Sequence, residues 1–196
     1  MIFIFALKEL KNITTIYTIS VNNECKELLL IQDFTTGKTE DVKVVCVDIK
    51  QGKTDEFAFL LENEKQISTP LATCIGSYIY EPNSSIMKAG AYKSIAKAWN
   101  ISPLHANSHI YTSDELVKEV QGRAFEVLGT CKINKDDFNR TFSGIKQANI
   151  SVRNCPLKPE DIRKKLKLKE GGDFYLFATT LSNNDMVLIG GRKPNV

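Results

Sequence analysis

Residues 149–181, "NISVRNCPLKPEDIRKKLKLKEGGDFYLFATTL", decide the fold of this chain. NISVRN reads as a strand, PLKPEDIRKKLKL as a helix and DFYLFATTL as a second strand. Pro159 falls at the first helical turn, where a missing N–H costs nothing. Glu160 and Asp161 follow it, where negative charge suits the helix dipole. Ile162 and Leu166, with Leu168 beyond them, form the inner face, and Gly171-Gly172 ends the helix. After the turn SNND, MVLIGGR folds back on DFYLFATTL as a closing hairpin. Upstream, RAFEVLGTCKI from Arg123 is a strand, and Asp136 to Ala148 is a helix with Phe138, Phe142 and Ile145 inward. The order β-α-β-α-β-β predicts a small α+β sandwich with helices packed on one sheet.

Before this unit, SYIYEPNSSIMKAGAYK brings an aromatic strand into Glu81-Pro82-Asn83. Pro82 stops the strand. Asn83 or Ser84 caps a helix running to about Trp99, with Met87, Ala91, Ile95 and Ala98 on one face. Gly90 inside that helix points to close packing. Thr112-Ser113-Asp114-Glu115 has capping-box spacing and predicts a further short helix. The polar run 62–73, with Pro70, reads as a linker. Before it, TIYTISV is a strand, and Asn22-Asn23 caps a helix striped by Cys25, Leu28 and Leu29. VKVVCVDI and EFAFLL are two more strands, joined by QGKTD. With Ile2–Phe5 as a buried strand and Ala6–Asn12 as helical turns, residues 1–61 read as half of a sheet flanked by helices. The missing half would lie upstream.

The chain has 196 residues, 42% hydrophobic and 25% charged, which is enough to bury a core. Its apolar opening MIFIFAL is far shorter than the ~20 residues a membrane span needs. Five scattered cysteines with no C-x-x-C pair fit reduced thiols in a cytoplasmic protein. Net charge is +3. From Arg123 onward 14 Lys/Arg stand against 8 Asp/Glu, so the basic end is the one suited to a polyanion.

Several motifs carry less than they suggest. His105 and His109 have metal-ligand spacing, but Pro103 and Ala106-Asn107-Ser108 make the segment a turn, so no metal site is assigned. Cys25, near an expected helix N-terminus, has no histidine base in its own domain. Asp48 ends a strand as a ribose-binding acid does, yet no Gly-rich turn precedes it. Glu81 is different: strand termination and capping explain Pro82 and Asn83 and leave Glu81 unexplained, so it is a possible substrate contact. The run Arg163, Lys164, Lys165, Lys167, Lys169 is the strongest electrostatic feature. With Arg153, Arg192 and Lys193 it makes a candidate phosphate-binding patch.

Taken together, "TISVNNECKELL", "YIYEPNSSIMKAGAYK", "LHANSHIYTSDEL", residues 148–181 and "VLIGGRKP" resemble the C-terminal region of bacterial class I SAM-dependent methyltransferases. In that family a Rossmann methyltransferase domain precedes a ferredoxin-like segment and a THUMP-like domain. The resemblance implies an α/β fragment, the C-terminal half of a Rossmann-like sheet, over residues 1–66. It implies a ferredoxin-like segment over 74–120 and a THUMP-like domain over 121–196, the last two forming an α+β sandwich. THUMP and ferredoxin-like pairs hold tRNA in RNA-modifying enzymes, so structured RNA is the expected partner. S-adenosylmethionine (SAM) is the family's cofactor. Its Gly-rich loop and the catalytic motif match no position here, so no catalytic or cofactor-binding residue is assigned. The chain is expected to be a piece of a longer protein or a truncated gene product. Alone it would be inactive, and its incomplete sheet would invite the missing half or a second copy. The alternative is a non-catalytic scaffold that positions the catalytic half.

Overall fold

The computed structural model describes residues 10–35 and 41–195. The expected strand Ile2–Phe5 lies outside them, as does most of the expected helix Ala6–Asn12. The chain divides into two compact units. One holds residues up to Thr69 together with Pro82–Asn100; the other holds Pro70–Glu81 and Ile101 onward.

The first unit is built on a four-stranded sheet. Its strands are β1 (Ile13–Val21), β2 (Glu24–Gln32), β3 (Lys43–Lys50) and β4 (Lys53–Leu60), in the order β2-β1-β3-β4. β1 and β3 run parallel, while β2 and β4 are antiparallel hairpin partners at the edges. The helix expected from Glu24 is instead β2. Asn22 and Asn23 both have left-handed backbones, φ 50° and 63°. Two such residues make the type I′ turn whose twist suits a hairpin, whereas a helix N-cap needs an extended residue. Leu28 and Leu30 therefore turn to one face of the sheet, and Leu29 and Ile31 to the other.

One face is covered. Ile16, Thr18, Ser20, Val44, Cys46 and Asp48 are buried there, and the helix α2 (Ser84–Ala89) packs against β1, β2 and β3. An incomplete sheet would expose apolar surface around Ile16 and Val44–Val47, yet Ile16, Val44 and Val45 are buried, Val45 on the face opposite α2. Large apolar residues exposed on the other face include Val21, Leu29, Ile31 and Ile49. The polar run after β4 is not all linker, since Leu61–Gln66 forms a short helix, α1. The single helix expected over 84–99 is two helices, α2 and α3 (Tyr92–Trp99). Gly90 is not a packing position in a continuous helix. It ends α2 with a left-handed backbone, φ 74°, that glycine adopts without steric cost. At the other end of α2, the Asn83 side chain accepts the Ile86 N–H at 3.0 Å. The EPN turn does cap the helix.

The second unit has a seven-stranded mixed sheet. It is formed by β5 (Tyr78–Pro82), β6 (Ser102–Pro103), β7 (Tyr111–Ser113), β8 (Gly122–Cys131), β9 (Asn149–Arg153), β10 (Tyr175–Thr180) and β11 (Met186–Arg192). Their order is β6-β7-β5-β8-β11-β10-β9. The helices α4 (Lys135–Thr141) and α5 (Pro159–Leu166) complete the unit. The predicted capping box at Thr112 starts no helix. Thr112 lies in β7, and its hydroxyl donates to Tyr78 O and accepts the Gly76 N–H. Helix α4 is shorter than expected and ends at Thr141, with Gly144 in a left-handed turn just beyond. Helix α5 ends at Lys167, itself left-handed, before Gly171 is reached.

Strand alternation sorts two cores onto the two faces of this sheet. On one, Leu176, Ala178 and Leu188 pack with Phe138 and Phe142, and with Ile162 and Leu166 of α5. On the other, Phe177 and Ile189 pack with Phe125, Ile79, Leu104 and Ile110. Burying each such large side chain contributes roughly 1.5–3 kcal/mol. Among the described residues no helix is long and apolar enough to cross a membrane.

Candidate functional site

The second core is rimmed by charge. Ile79 points into that core from β5, so Glu81, two residues on, faces the same way. Phe125 points into it from β8, which places Arg123 on that face. Ser151 pairs with Phe177, which places Ser151 and Arg153 there too. These four side chains meet. Arg123 donates through Nε at 3.0 Å and through Nη2 to Glu81 Oε2. Arg153 donates to Oε1 through Nε at 3.1 Å and Nη2 at 2.9 Å. Ser151 Oγ reaches Oε1 at 3.3 Å. Glu81 is 4% exposed. The side chains of Arg123 and Arg153 are 43% and 39% exposed.

Burial alone would raise the Glu81 pKa. The hydrogen bonds and charge of Arg123, then those of Arg153, outweigh it and hold the carboxyl below its usual value. The site is therefore ionised at neutral pH and carries two positive charges on one negative. Beneath it, Tyr80 fixes β5: its hydroxyl pairs with Ser113 Oγ at 2.7 Å and accepts the Val117 N–H at 2.9 Å. His109 has a left-handed backbone, φ 54°, and its pKa is lowered by burial and then by the charge of Arg153. His105 Nδ1 accepts the Asn107 N–H at 3.0 Å, which uses the lone pair a metal would need.

The residues proposed for one basic patch are divided by the sheet. Arg153 lies on the face with Phe177, whereas α5, which carries Arg163, Lys164 and Lys165, packs on the opposite face. Along β10, Thr179 sits opposite Arg153, while Tyr175 sits opposite Gly191, the neighbour of Arg192. Arg153 and Arg192 are thus about 16 Å apart along the strand direction alone. Arg192 also pairs with Glu126 at 2.9 Å. Arg163 is partly buried, its side chain 21% exposed, with Glu170 at 3.7 Å. Lys164, Lys165, Lys167 and Lys169 are exposed on or just beyond α5, and Lys193 is exposed past β11. Sequence reasoning flagged Glu81 and Arg153 separately and missed Arg123, the second arginine held by Glu81. The available signal was R-x-F alternation on a strand, which puts Arg123 on the core-facing side.

In the first unit Asp48 is spent on structure. Its Oδ1 accepts Ser20 Oγ at 2.6 Å and the Asn23 N–H at 3.1 Å, and its Oδ2 lies 2.5 Å from Lys50 Nζ. A SAM cradle asks for a strand, a Gly-rich turn and a helix, with an acid on the next strand. Here β1 and β3 end in tight hairpins, and Asp48 is already satisfied. The described residues do not fit that cofactor.

Comparison with known proteins agrees with this architecture. Residues 78–120 match a ferredoxin-like domain family, and residues 122–192 match a family described as THUMP domain-like. The chain is similar to the crystal structure of a "putative methyltransferase" from Porphyromonas gingivalis W83. The TM-score is 0.90 at 30% identity, over 97% of this chain. The chain spans 48% of that protein's length. No curated protein matches.

Proposed function

We propose that this chain is the C-terminal portion of a SAM-dependent methyltransferase acting on RNA, with the THUMP-like domain as the module that holds the RNA. The observation that carries this reading is the likeness to the Porphyromonas gingivalis protein along 97% of the chain. The THUMP-like match over residues 122–192 supports the RNA part, since such domains bind RNA in general. On this reading a Rossmann-like catalytic domain supplies SAM binding and methyl transfer, and the present residues supply substrate grip. Calorimetry with SAM should then give no heat of binding. Fluorescence titration with a structured RNA at low salt should give saturable binding that weakens steeply toward physiological salt. Absence of RNA binding at low salt would favour a scaffold that only positions the catalytic half. The apolar residues Leu29 and Ile31, 50% and 43% exposed on β2, speak for that second reading.

A further inference from the structure

We propose that Arg123 and Arg153 form a phosphate-binding clamp positioned by Glu81, and that the phosphate belongs to the backbone of the RNA. The second clause rests on the RNA reading above. An ordinary surface ion pair matches one cation with one anion. Here one buried carboxylate holds two guanidiniums, each by Nε and Nη2, and each on its own oxygen. Both planar forks are therefore fixed in orientation and held side by side. The cluster keeps one net positive charge. Among the described residues neither arginine has a second carboxylate partner, and neither Nη1 has a protein partner. Both side chains remain about two-fifths exposed. That exposure leaves the outer edge of both guanidiniums open to a ligand while Glu81 holds the inner edge.

The geometry suits phosphate chemistry. Arginine forks donate two parallel N–H bonds to planar or tetrahedral oxyanions. With Nε and one Nη2 N–H of each guanidinium on Glu81, the Nη1 group and the second Nη2 N–H of each remain to donate to the oxygens of one phosphate, and ordering them beforehand removes the entropy that free arginines would lose on binding. Arg123 is steadied further by the Phe125 ring, whose centroid lies 5.6 Å from Cζ. Ser151 adds a hydroxyl at the same rim.

The test uses the full chain, with NMR detection of arginine Nε–H signals. It is titrated in separate arms with pyrophosphate and with a structured RNA at low salt. Both should shift the Arg123 and Arg153 signals. Arg123→Gln and Arg153→Gln should each lower the magnitude of the RNA salt slope by about 0.7 to 0.9. Arg153→Lys should keep the slope and lose pyrophosphate affinity, since the charge stays and the fork goes. Glu81→Gln separates positioning from plain electrostatics. Removing a negative charge would tighten anion binding if charge alone mattered, and the clamp requires it to weaken. If Glu81→Gln does not fold, Arg153→Lys decides the same point. RNA binding with an unchanged slope in both Arg→Gln variants overturns the clamp and leaves the RNA reading standing. Pyrophosphate shifts without RNA binding keep the phosphate site and overturn its RNA assignment. No shift in either arm overturns both.

Discussion

Glu64 accepts the backbone N–H of Ser94 at 2.8 Å, and its other oxygen accepts that of Lys93 at 2.7 Å. A side chain from a segment that reads as linker thus caps the helix α3. That helix needs it, because its own N-cap is Ala91, which offers no acceptor. Glu64→Ala should cost about 1–2 kcal/mol of stability in the first unit, as loss of a strong cap does. Glu64→Gln should recover part of that cost. Chemical denaturation of the three proteins checks it, and an Ala variant as stable as the wild type would refute the cap.

The two faces of the second sheet predict a packing limit at Gly190. A Cβ there would lie 2.5 Å from ring atoms of both Phe142 and Phe174. Those rings already pack edge to face, with centroids 5.1 Å apart, so neither can retreat freely. Gly190→Ala should cost roughly 1–3 kcal/mol, the usual range for overpacking. Thermal unfolding would show it as a lowered Tm, and an unchanged Tm would mean that the rings yield.

Much of this second unit was legible because local and global signals agree there. β10 and β11 are short continuous apolar runs bounded by turn residues, as strands buried on both faces are, and Pro159 marks the helix start. Elsewhere a local signal lost to a longer-range one. ECKELLLIQ is rich in good helix formers, yet the Asn22-Asn23 turn and pairing with β1 make it a strand. Thr112 has the spacing of a capping box, but the free N–H groups it would cap do not exist in a strand. The candidate site failed differently. Glu81 stood out as unexplained, but its partner Arg123 is 42 residues away and Arg153 is 72 away. No spacing rule links them; only the curl of one sheet face does.

The same cluster predicts an acid response. The folded-state pKa of Glu81 is depressed by Arg123 and Arg153. A group of that kind contributes stability above its unfolded value, about 4.3, and loses it as pH falls through the lower folded value. Glu81→Gln should therefore melt below the wild type at pH 7. The gap should hold down to about pH 5 and narrow as the pH falls further. Melting curves from pH 7 to pH 3 test this, and a constant gap across that range would rule out the linkage.

The exposed lysines of α5 give the last prediction. Ile162 and Leu166 bury the inner side of the helix. Lys164, Lys165 and Lys169 are exposed. Arg163 is partly buried and its Nε has no hydrogen-bond partner among the described residues, so reversing it would disturb packing as well as charge. The informative variant is the triple Lys164→Glu, Lys165→Glu and Lys169→Glu, which spares the core and should change stability by about 0.5 kcal/mol or less per site. If this face touches RNA, each lost phosphate contact removes about 0.7 from the salt slope for a single strand and about 0.9 for a duplex. Three contacts would then lower its magnitude by roughly 2 to 3. Because the sheet separates this helix from Arg153, the triple variant and Arg153→Gln should act independently and their slope changes should add. A triple variant with wild-type slope and affinity would confine the RNA to the arginine-bearing face.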